Sequence, residues 1–141
     1  MKSTKTMKLV GLRMTRLILP ASGLVAISIA SAILFAQDDF YSGYGIGIEG
    51  NVNLANELKA PTGALLAAGL LMLAGVFRTE FACTSLTTAT VIYLSYGLSR
   101  LSSMSMDGIP HDGLVGAAIF ELVMGVVCLL GLLRFRRINA H

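Results

Sequence analysis

The chain has 141 residues, of which 55% are hydrophobic and 13% charged. Soluble domains carry about 25% charged residues, so a water-soluble globule would have too little polar surface. The expected organisation is a single membrane domain over residues 1–141. The net charge of +3 does not point to nucleic acid, because the bases cluster beside apolar runs at the two ends, the pattern that orients membrane proteins.

The first apolar run covers about 17–36 and follows Lys2, Lys5, Lys8, Arg13 and Arg16. Its length matches the roughly 20 residues that a helix needs to cross hydrocarbon. A basic start and the small residues Ala30-Ser31-Ala32 resemble a signal peptide. However, the run continues to Ala36, longer than an ordinary signal core, so a retained span is expected. Pro20 fits a first turn, or a kink if the helix starts earlier near Leu9. Ser22, Ala26 and Ala30 repeat every four residues, a spacing that lets helices approach closely.

A long connection follows, about 37–60. Its first half, from Tyr41 to Gly50, is rich in glycine, but no strand precedes it and its surroundings are acidic. That excludes a phosphate loop. Tyr41 and Tyr44 fit an interfacial aromatic role. The second half predicts a short helix running into the second span, with Asn53 as its cap and Glu57 at the membrane mouth. Pro61 is expected to mark a kink or a fresh first turn there.

The second and third spans cover about 61–77 and 81–98, joined by a very short link that contains Arg78. In the second, Gly63 with Ala67 and Ala64 with Ala68 repeat the four-residue spacing. Cys83 and Cys128 lie in apolar runs with no metal-ligand spacing and read as small buried hydrophobes. Residues 101–112 are rich in serine and contain Asp107-Gly108 and Pro110, which predicts a turn-rich loop. His111 beside Asp112 could serve a proton relay or a metal, but a single exposed histidine does not make a metal site, and none is expected.

The fourth span, about 114–133, contains Glu121, with Ala117 and Gly125 four residues to either side. Burying a carboxylate in hydrocarbon costs on the order of 3 kcal/mol, so Glu121 is expected to have a partner or a task. Arg134, Arg136 and Arg137 follow the span. With four spans the termini share one side, and the excess of Lys and Arg there makes that side cytoplasmic. The expected fold is therefore an all-α, integral membrane four-helix bundle with both termini cytoplasmic.

Tyr93, Tyr96 and Arg100 recur at spacings of three and four, which places them on one face of the third span. Glu121 lies about seven residues into the fourth span, or about 10 Å deep at 1.5 Å per residue. With Glu57 and Lys59 from the second helix, these six residues form the expected polar cluster of the outer half. The bland explanation is that Arg100 and Glu121 neutralise each other and fix the packing. The functional explanation is a pocket for a small amphipathic ligand.

Asn56-Glu57-Leu58-Lys59-Ala60-Pro61-Thr62-Gly63, an alanine- and leucine-rich span ending in Phe77-Arg78, Gly97-Leu98-Ser99-Arg100, Asp107-Gly108-x-Pro110 and Glu121 occur together. In these the chain resembles a bacterial family of small four-helix membrane proteins, domain of unknown function 4345, which is similar in outline to DoxX-like proteins. Lys59 departs from the family's more usual arginine, which removes a bidentate carboxylate clamp at that position. The resemblance implies a four-helix membrane fold and supplies no activity.

Residues and resemblance together lead to two expectations. One is a membrane assembly partner or a binder of a lipid-like ligand, which uses the polar cluster as its grip. The other is a small membrane enzyme that does acid–base chemistry, such as isomerisation, on an apolar substrate. A transporter or proton path is less favoured, because broken-helix pairs and an internal repeat are missing. No cofactor is expected. The expected partners are membrane lipid, a lipid-like small molecule, and a second copy or another membrane protein, with no nucleic acid.

Overall fold

The computed structural model describes residues 2–139, with side chains from 17 to 138. The side chains of Lys2, Lys5, Lys8, Arg13 and Arg16, which contribute to the expected orientation, lie outside the described ones. The described chain is helical, with the order α1 (Lys2–Phe35), α2 (Gln37–Ser42), α3 (Val52–Phe77), a single 3-10 turn (Thr79–Phe81), α4 (Ala82–Asp107) and α5 (Asp112–Asn139). Four of these helices are long and apolar enough to cross a membrane, and the protein is a four-helix membrane bundle. Each long helix packs on the next, and α5 closes back on α1.

Both internal prolines are carried within continuous helices, Pro20 in α1 and Pro61 in α3. Each withholds one N–H from the carbonyl four residues back. The helix expected before the second span is therefore the first part of α3 itself. Its cap is Asn51, whose side chain accepts from the Leu54 N–H at 3.0 Å, and Asn53 lies inside the helix.

Residues 101–107 correct the expected loop, because α4 runs on to Asp107. Serine does not break this helix because its hydroxyls find partners within it: Ser105 donates to the Ser102 carbonyl and Ser103 to the Asp107 carboxylate. Gly108, with φ at 102°, ends it, leaving a short connection to α5.

Glycines set the helix spacing. A Cβ at Gly69 would lie 3.1 Å from the Gly23 carbonyl oxygen and 2.7 Å from Ile27, so α1 and α3 touch backbone to backbone. Between α4 and α5 the arrangement is reciprocal, with Gly97 against Leu122 and Gly125 against Leu94. Ser22, Ala26 and Ala30 are buried as a stripe. Gly63, Ala64 and Ala67 are exposed, and the real contact on α3 falls on Ala68, Gly69 and Gly75. With lipid outside there is little hydrophobic drive between helices, so this close packing carries the association.

The solid core lies toward the end of the bundle that holds the termini. Leu19, Met72, Leu86 and Cys128 are completely buried there, and neither cysteine forms a disulfide. Ser85 ties α4 to α3 by donating to the Leu71 carbonyl at 2.6 Å. At the opposite, loop-bearing end the helices surround a cavity.

Candidate functional site

The cavity measures about 360 Å³ and draws its lining from all four long helices and the segment after α1. Helical periodicity explains which side chains reach it. On α1 these are Ala26, Ile29 and Ile33, and on α3 Leu58, Pro61, Thr62 and Leu65, each set separated by three or four residues. On α4 the lining residues are Ile92, Tyr93, Tyr96 and Arg100, and on α5 Leu114, Ala117, Phe120 and Glu121.

Tyr93 forms the floor. It is buried, its hydroxyl donates to the Ser22 carbonyl at 2.6 Å, and its ring meets Phe120 edge-on. One side of Tyr93 thus belongs to the solid core and the other to the cavity.

The roof is aromatic. Phe40, Tyr41, Tyr44 and Ile46 fold over the loop-bearing end. Phe40 contacts both tyrosine rings edge-on, and Tyr44 reaches across to His111. The segment is pinned at one end by buried Gln37, whose amide donates to the Ala55 carbonyl at 3.1 Å. Gly45 and Gly50 take φ values of 74° and 76°, which a side chain would resist, and so let the chain turn back on itself. Burial pushes the Tyr41 phenol above its usual range, with nearby Arg100 pulling it the other way.

Arg100 and Glu121 meet on the wall. The Arg100 Nε donates to both Glu121 carboxylate oxygens, at 2.9 and 3.2 Å. The Glu121 side chain is 13% exposed and that of Arg100 34%. This pair is the sole charge on an otherwise apolar and aromatic lining.

The structure therefore brings together four of the six residues read from the sequence: Tyr93, Tyr96, Arg100 and Glu121. Glu57 and Lys59 are exposed and do not line the cavity. They flank Leu58, which does, and one helical residue either way rotates a side chain about 100° off that face. Lys59 instead borders a separate groove of about 530 Å³ together with Asp38, Asp39 and Glu49. That groove is acidic and open to solvent. His111 caps α5, its Nδ1 accepting from the Gly113 N–H at 3.1 Å. Among the described residues no three His, Cys, Asp or Glu side chains are arranged so that they could hold a metal ion.

Sequence reasoning missed the roof. The signal was Phe40 and Tyr44 at a four-residue spacing in a segment that α1 returns to the bundle. Membrane-interface placement explained the tyrosines equally well.

Fold and cavity together describe a four-helix membrane bundle with a partly open cavity of about 360 Å³ at its loop-bearing end. Residues 14–132 match the family described as domain of unknown function (DUF4345), and the chain belongs to it. The match does not extend to the DoxX-like outline. No curated protein and no solved structure matches the chain.

Proposed function

We propose that this protein binds a lipid-like small molecule within the membrane, with the Arg100–Glu121 pair as its polar grip. The observation that supports this is the cavity itself: about 360 Å³, lined by four helices and a largely aromatic roof. Ligand sites are concave, mostly apolar, and carry a few convergent polar groups, with volumes of about 300–1,000 Å³. A pair serving only to hold two helices together needs no empty space beside it. The protein sits in the cell inner membrane with both termini cytoplasmic. That orientation rests on the bases beside the terminal end of the bundle, Arg78, Arg134, Arg136 and Arg137.

Acid–base catalysis is the second reading. The observation that favours it is Glu121 beside Tyr96 on the cavity wall, since proton transfer needs a carboxylate within reach of the substrate. It ranks lower because Arg100 holds both carboxylate oxygens.

The test is mass spectrometry of what copurifies. Wild-type protein extracted from native membranes is expected to carry one small-molecule class that Ala117→Phe, which fills the cavity, lacks. Identical small-molecule profiles for the two proteins would contradict the reading.

A further inference from the structure

The donors of Arg100 are only partly used. Its Nε serves Glu121, while Nη1 and Nη2 have no protein partner among the described residues. Tyr93 and Thr62 donate to the Ser22 and Leu58 carbonyls, while the hydroxyls of Tyr41, Tyr44 and Tyr96, which can both donate and accept, also face the cavity. A guanidinium has donors and no acceptor, so whatever meets the Nη groups must accept.

Charge narrows the class further. Arg100 and Glu121 are the only charged residues on the lining and sum to zero. An anionic head group would add an unmatched negative charge to a largely apolar, partly open lining, and a cationic one an unmatched positive charge. Both are expensive away from water. An uncharged acceptor satisfies the Nη donors and leaves the balance intact. Size sets the rest: at about 30 Å³ for a water-sized group, 360 Å³ holds roughly a dozen heavy atoms.

We infer that the cavity takes an uncharged molecule with an apolar body and a carbonyl-type oxygen at one end, which accepts from the free N–H groups of Arg100. This rests on the reading of the cavity as a ligand site. The apolar body lies against Ile29, Ile33, Leu65 and Phe120, and the oxygen lies at the guanidinium.

The experiment uses the full chain in dodecyl maltoside and undecan-2-one carrying 13C at its carbonyl, a probe of about the right size. Undecane, decanoate and decylamine serve as competitors. Binding is expected to move the carbonyl resonance downfield from its position in empty micelles. Each competitor is expected to displace the ketone about tenfold less well than unlabelled ketone does. Arg100→Lys keeps a positive charge beside Glu121 but lacks the fork. It should weaken ketone binding about tenfold and leave undecane binding unchanged. If Arg100→Lys does not assemble, the Arg100→Gln, Glu121→Gln double variant, whose wall stays neutral, is expected to show the same loss.

If undecane or decanoate competes as well as the ketone, the carbonyl inference fails while the cavity remains a ligand site. If no bound resonance appears, and wild type behaves like Ala117→Phe, both the inference and the ligand-site reading are overturned.

Discussion

Glu121→Gln separates charge from shape at the cavity wall. At 2.9 Å and an effective dielectric of about 20, two unit charges attract by roughly 6 kcal/mol. Removing water from both groups offsets much of this, so the intact pair contributes little net stability. The single variant is a different matter, because it strands Arg100 inside a span. Stranding a buried partner costs about 3–5 kcal/mol, and with Arg100 a third exposed the expected loss falls to about 2–3 kcal/mol. Adding Arg100→Gln should restore most of it, so the cycle is expected to give a coupling of at least about 1.5 kcal/mol. The assay is equilibrium unfolding in mixed micelles, followed by helicity. Additivity within about 0.5 kcal/mol would refute the claim that the two charges depend on each other.

Four further outcomes follow from the packing and the roof. Gly125→Ala places a methyl 3.0 Å from the Leu94 backbone nitrogen, whereas Gly116 has open space; the first should cost about 1–3 kcal/mol and Gly116→Ala nothing, read by the same unfolding assay. Tyr93→Phe removes the bond to the Ser22 carbonyl, and a loss of about 0.5–1.5 kcal/mol is expected. Gly45→Ala and Gly50→Ala each force a side chain into a left-handed backbone at about 1–2 kcal/mol, and should speed amide exchange in 40–50 while leaving α4 and α5 protected. Because burial holds the Tyr41 phenol above 10.0 in the folded chain, the unfolded chain loses this proton first as pH rises. The stabilisation is therefore complete below about pH 10 and is lost progressively as pH climbs toward the folded value. Tyr41→Phe should flatten that alkaline decline in a pH series of unfolding midpoints.

The spans were legible because hydrocarbon demands long uncharged runs, and these four stand out from composition alone. The Arg100–Glu121 pairing was legible for a related reason, since two charges in apolar surroundings have few alternatives to each other. Glu57 and Lys59 were misplaced because spacing fixes a face only once the helix's rotation is known. Leu58, lying between them, turned out to own the inward face. The helical run through 101–107 was hidden by serine and methionine, whose local preferences are weak beside a helix already under way. The roof was hidden because its contacts join 40–46 to His111 and Gly113, residues that only the folded bundle brings together.

The most direct test of the account is a crystal structure of the protein grown from a lipid phase. It should show elongated density above the Tyr93 ring, enclosed by the aromatic roof, with one end within hydrogen-bond distance of the Arg100 Nη atoms. A cavity collapsed so that Tyr96 packs on Phe120, or one holding only ordered water, would contradict it.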